Sequence, residues 1–121
     1  MEKKILVTDD DAMVRRMAEM FLTKAGFQVI PVSSGEDCLQ AVQDQAIDLL
    51  LLDVEMPGMD GLETLKQLRA RKEGKELPVY FLSGSDSMEA EVARGLYPVS
   101  GFIRKPFLPA CLVGTVQKAL N

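Results

Sequence analysis

The chain has no histidine and no tryptophan, holds only two cysteines, and draws just 6% of its 121 residues from the aromatics. Without histidine, any mechanism that needs an internal imidazole as base, metal ligand or phosphoryl carrier is excluded. Cys38 and Cys111 fall in separate helical stretches with no C-x-x-C spacing, so buried free thiols are expected rather than a disulfide or a metal site. No apolar run approaches the ~20 residues of a membrane span. The opening segment turns acidic directly after Ile5, Leu6 and Val7, unlike a secretory signal. A cytoplasmic protein with no membrane contact is expected. Acidic residues stop at Glu91, beyond which Arg94, Arg104, Lys105 and Lys118 give the last quarter a charge of +4 against −8 for the first 91 residues. The net charge of −4 argues against direct binding of nucleic acid.

What is present fits one domain across residues 1–121, with 47% hydrophobic and 26% charged residues. The central stretch is a run of four leucines, Leu49 to Leu52, cut off by Asp53 and then by Pro57, Gly58 and Gly61. Such a run reads as a strand buried on both faces, with Asp53 where it surfaces. A first strand over 4–8 ends likewise in Asp9, Asp10 and Asp11. A helix over about 12–25 follows, with Val14, Met17, Phe21 and Ala25 on its apolar face and Gly26 as its stop. Strand two spans 27–32. Ser33 with Glu36, or Ser34 with Asp37, opens a second helix to about Gln45, its stripe formed by Leu39, Val42 and Ala46. Leu62, Leu65 and Leu68 mark a third helix, and 78–83 reads as the fourth strand. Asp86 and Glu89 offer caps for a fourth helix to about Leu96, which Pro98 and Gly101 close. A fifth strand over 101–104 leads through Lys105, Pro106 and Phe107 to a last helix opened by Pro109.

Five strands alternating with five helices predict a doubly wound α/β fold of the flavodoxin type, a parallel sheet in the order 2-1-3-4-5. In that order strands one and three are neighbours at the switch point. The acids after strand one, Asp53, Ser83 and Lys105 then share one sheet edge, where such folds bind ligands. Crowded carboxylates call for a shared cation, and an all-oxygen site without His or Cys suits Mg²⁺ or Mn²⁺. Phosphoryl transfer needs positioning and charge neutralisation more than covalent chemistry from the protein. Asp53 reads as a nucleophile forming an aspartyl phosphate, with Lys105 paired to the phosphoryl group and Ser83 hydrogen-bonded to it. Taken singly, Ser83 reads as the cap of a turn and Lys105 as a surface lysine. Acid, acid, hydroxyl and ammonium at four of five strand ends favour the joint reading.

With Asp9-Asp10, the stretch from Asp53 through Glu55, Pro57 and Gly58 to Gly61, Ser83, and Lys105-Pro106-Phe107, the chain resembles the response-regulator receiver domains of two-component signalling. The resemblance runs over essentially all 121 residues. It implies a phosphoacceptor that takes its phosphoryl group from a partner's phosphohistidine, on a sensor histidine kinase or a histidine phosphotransfer protein. It also implies that Asp10, Asp53 and the backbone carbonyl of Glu55 bind Mg²⁺ directly, with Asp9 acting mainly through water. A cis peptide between Lys105 and Pro106, a switch pair Ser83 and Phe102, and lifetime tuning by Glu55 and Ser85 complete the expectation. The signal would leave through the fourth predicted helix, the fifth strand and the last helix, to a protein target or a second copy. Cys111, Leu112, Val113, Val116, Ala119 and Leu120 give that helix more apolar surface than one stripe needs, so part of it is expected to be exposed. Catalysis is expected only of its own phosphorylation and dephosphorylation.

Three features depart from the family pattern: Gly84 after the strand-four hydroxyl, Tyr97-Pro98-Val99 before strand five, and the third acid Asp11, read as solvent-facing or capping. A haloacid-dehalogenase-like phosphatase would need further acids after the lysine, and none follows Glu91. A receiver-like module that is not phosphorylated would lack an acid or the lysine. A nucleotide-binding flavodoxin-like protein would carry a Gly-rich phosphate loop. A receiver acting alone and one belonging to a longer protein both fit the sequence.

Overall fold

A computed structural model of the chain describes residues 2–84 and 99–121. Its strands β1 (Lys4–Thr8), β2 (Gln28–Val32), β3 (Leu49–Asp53), β4 (Val79–Ser83) and β5 (Gly101–Arg104) form one parallel sheet in the order β2-β1-β3-β4-β5. The expected flavodoxin-like topology is therefore present. Helices α1 (Ala12–Lys24), α2 (Gly35–Asp44), α3 (Gly61–Arg69) and the last helix (Pro109–Leu120) account for four of the five expected. The helix predicted to end near Leu96 lies outside the described residues, as do Ser85, Arg94, Tyr97 and Pro98.

Alternation along the strands builds the core. In β3, Leu50 and Leu52 point into one cluster with Cys38, Leu39 and Val42 of α2 and Leu65 and Leu68 of α3. Leu49 and Leu51 point the other way, to Ala18 and Leu22 of α1 and Leu112 and Val116 of the last helix. Both faces of the leucine run are thus covered, which is why it is continuous rather than alternating. Each fully buried leucine contributes about 1.5–3 kcal/mol of transfer free energy. Three helix starts are capped by side chains: Asp11 accepts from the amides of Met13 and Val14, Ser34 from Asp37, and Asp60 from Glu63. Of the two starts offered for α2, the one at Ser34 is used, its hydroxyl accepting the Asp37 amide at 3.1 Å.

Several expectations are corrected. Val14, Met17 and Phe21 of α1 pack against the core as expected but are only partly buried, and the fully buried centre of the helix is Ala18 and Leu22 beside them. Ala46 is exposed, since α2 stops at Asp44 and its cap Gln45 is extended, which breaks the helical spacing. Cys38 is buried but Cys111 is exposed on the last helix. Of the six apolar residues named on that helix, Cys111 alone is exposed, while Val113, Ala119 and Leu120 pack partly against the core. The large exposed apolar side chains among the described residues are instead Met13 and Met20 of α1 and Leu108. Among the described residues no helix is long and apolar enough to cross a membrane.

Candidate functional site

Register decides which acids meet. Thr8 of β1 pairs with Leu52 of β3, so the residues that follow, Asp9 and Asp53, emerge side by side from the carboxyl edge of the sheet. On the other side, Asp53 pairs with Leu82 and Ser83 with Arg104, which brings Ser83 and the start of the Lys105 loop to the same edge. The Lys105 amide donates to the carbonyl of Ser83, the last residue of β4, at 2.7 Å, extending the ladder one residue past β5. The result is a cavity of about 240 Å³ lined by the acids Asp9, Asp10, Asp11 and Asp53 together with Ser83 and Lys105.

The polar side chains are held from several directions. The Lys105 ammonium donates to Asp9 Oδ2 at 3.1 Å and to Asp53 Oδ1 at 3.2 Å, bridging residues 96 and 52 positions away. Asp9, fully buried, accepts the Asp11 amide on Oδ1 at 2.9 Å. The Glu55 amide donates to Asp53 Oδ1 at 3.3 Å, while the Glu55 side chain is exposed. Asp9, Asp10 and Asp53 each place a carboxylate oxygen within 4.8 Å of the others. That donor set is all oxygen and carries more negative charge than one ammonium balances, so it fits a hard divalent cation.

Electrostatics follow from this crowding. Burial, and then the neighbouring Asp9 carboxylate, raise the Asp53 pKa from 3.8 to about 7 despite the opposing pull of Lys105. Burial alone would lower the Lys105 pKa, but its hydrogen bonds and charge pairing with Asp9 and Asp53 outweigh burial and leave it raised. The peptide between Lys105 and Pro106 is cis, as the family resemblance implied. Phe102 is half-buried and stacks on Phe81, ring centroids 5.8 Å apart at 20°.

All four strand-end groups singled out in the sequence therefore lie together. Glycines shape the loop that follows Asp53: Gly58 adopts a φ of 75°, and a Cβ on Gly61 would stand 2.3 Å from the Asp53 carbonyl oxygen. This close approach presses the first turn of α3 onto the backbone of Asp53 and Val54. Sequence reasoning missed it, along with the hydrogen bond from Arg15 Nη1 to the Asp9 carbonyl at 2.7 Å. A glycine and an arginine in those places carry no periodic signal. Asp11 was legible, and it is the cap of α1.

A family model described as response regulator receiver domain matches residues 5–117. The chain is 35% identical over 121 residues to the alkaline phosphatase synthesis transcriptional regulatory protein PhoP of Bacillus subtilis, covering all of this chain and 50% of that protein. It spans about half the length of the first curated relatives it matches. It is 32% identical over 106 residues to the CAI-1 autoinducer sensor kinase/phosphatase CqsS of Vibrio cholerae, covering 87% of this chain and 16% of that protein. Among solved structures, the chemotaxis protein CheY4 of Vibrio cholerae superposes with a TM-score of 0.93 at 31% identity, over 99% of this chain and 100% of that one. Sheet order, strand-end chemistry and a family match over nearly the whole length agree: the chain belongs to the response regulator receiver domains of two-component signalling.

Proposed function

We propose that Asp53 is the phosphoacceptor of this receiver and that the domain passes on a signal by changing shape when it is phosphorylated. The observation that carries the reading is the bridge from the Lys105 ammonium to Asp9 and Asp53, two of the three clustered carboxylates. In the transfer, a carboxylate oxygen of Asp53 attacks phosphorus, the bond from phosphorus to the donor's imidazole nitrogen breaks, and the imidazole leaves. The donor would be a phosphohistidine outside residues 1–121, which contain no histidine. Asp9, Asp10, Asp53 and the backbone carbonyl of Glu55 would hold Mg²⁺, with Mn²⁺ as the alternative. When bound, that cation supplies neutralising charge for the transferring oxygens. Lys105 keeps its ammonium within reach of Asp53 and pairs with the incoming phosphoryl group, and the Ser83 hydroxyl hydrogen-bonds it.

The domain then acts on no substrate other than its own aspartate, accelerating its own phosphorylation and dephosphorylation. Its donor is a sensor histidine kinase or histidine phosphotransfer protein, a reading supported by relatives that include a sensor kinase/phosphatase. The response moves Ser83 toward the phosphoryl group and rotates Phe102, altering β5 and the last helix for a protein target or a second copy. Intact-mass measurement after incubation with Mg²⁺ and acetyl phosphate tests this. One added phosphoryl group on the native chain and none on Asp53→Asn is expected. A phosphorylated Asp53→Asn protein would overturn the assignment.

A further inference from the structure

Arg15 lies half-buried on the first turn of α1 and spends a guanidinium donor on a main-chain carbonyl, that of Asp9, at 2.7 Å. That carbonyl belongs to the same planar peptide as the Asp10 amide, so gripping it fixes the plane from which Asp10 departs. The consequence is unequal for the two acids. Asp9 is buried and its carboxylate is held on both oxygens, by the Asp11 amide and by Lys105. Asp10 is exposed, and yet one of its oxygens stays within 4.8 Å of oxygens of Asp9 and Asp53. Like charges at that range repel, so an exposed aspartate stays inward only while the backbone of its turn is held. The Asp11 amide on Asp9 Oδ1 and the Asp11 cap on Met13 and Val14 order the turn locally, but neither holds the Asp9 carbonyl that Arg15 grips.

We propose that Arg15 is a positioning residue of the acidic pocket, its hold on the Asp9 carbonyl keeping Asp9 and Asp10 in the orientation that receives a divalent cation. The inference rests on the phosphoacceptor reading for its purpose but not for its geometry. It also makes a prediction opposite in sign to simple electrostatics. Removing a cation near three carboxylates should tighten binding of a metal ion by Coulomb's law, whereas losing a positioning contact should weaken it.

The test is calorimetric titration of Mg²⁺ into the native chain and into Arg15→Met, Arg15→Lys and Arg16→Met. Arg15→Met should weaken Mg²⁺ binding about tenfold or more, the scale of one hydrogen bond from a charged donor. Lysine can make a single bond to a carbonyl, so Arg15→Lys should restore most of the affinity. Arg16 is the exposed neighbour, and Arg16→Met, with the same charge change, should leave affinity unchanged or slightly tighter. Tighter or unchanged binding in Arg15→Met overturns the proposal. A second arm needs no metal: hydrogen exchange of the Asp11 amide, which donates to Asp9 Oδ1. It should quicken about tenfold in Arg15→Met and return in Arg15→Lys. Unchanged exchange overturns the positioning role even if the native chain takes up no Mg²⁺, in which case the metal part of the proposed function fails separately. Should Arg15→Met not fold, Arg15→Gln, whose shorter amide falls short of the carbonyl, carries the same comparisons.

Discussion

Replacing Asp53 by asparagine should make the metal-free protein more stable at neutral pH, and the gain should depend on pH in a defined direction. The Asp53 carboxyl, buried and facing Asp9, has its pKa raised from 3.8 to about 7. Between those values the folded protein holds a proton that the unfolded chain has released, so the contribution of Asp53 is fully present below about pH 4 and is lost as pH rises through about 7. The interval corresponds to at most about 4 kcal/mol. Because the carboxylate borders a cavity open to water, about 1–3 kcal/mol is the working expectation. Asparagine keeps the shape and removes the titration, and Lys105 retains its bond to Asp9 at 3.1 Å. At pH 8 without metal, Asp53→Asn should melt higher by a few degrees, converging with the native chain near pH 4. Denaturant unfolding at both pH values measures the difference. Saturating Mg²⁺ should raise the native stability and leave that of Asp53→Asn almost unchanged, since ligation stabilises only the state that binds. An asparagine variant less stable at pH 8, or a difference that does not vary with pH, would refute the account of crowded charge.

Lys105→Ala leaves Asp9 and Asp53 facing each other without their shared ammonium, and should cost about 1–3 kcal/mol after allowance for the 19% exposure of the lysine. The same variant should still accept phosphate from acetyl phosphate, more slowly, while losing the change in hydrogen exchange over β5 and the last helix. Phe102→Ala removes the stacked partner of Phe81, at least about 0.5–1.5 kcal/mol; phosphorylation of Asp53 should persist, and identical phosphorylation-dependent exchange over β5 in variant and native chains would remove Phe102 from the switch. Cys111, exposed, should react with a maleimide quickly in the native state. Cys38, with a pKa raised to about 11 by burial, should react only on unfolding, and equal rates for the two thiols would contradict the packing of α2.

Much of this protein is written locally. Four leucines in succession require cover on both faces, and apolar runs that end in Asp9 and Asp53 declare where strands surface. Ser34 announces a helix start through a hydrogen bond three residues long, and Ser83 and Lys105 mark two further strand ends. Such signals act over a turn or a strand, so a linear reading captures them. It fails where burial depends on the neighbour: Ala18 and Leu22 took the centre of α1 from the flanking row, and Cys111 faces outward. The strand order was an inference from alternation, and only the assembled sheet sets the register that places Asp9 beside Asp53. The tertiary structure alone decided that one ammonium spans acids 96 and 52 residues away, that α3 presses Gly61 onto the Asp53 backbone, and that Arg15 grips the Asp9 carbonyl. The raised pKa of Asp53 belongs to the same class, because desolvation and the field of Asp9 exist only once distant strand ends share one edge of the sheet.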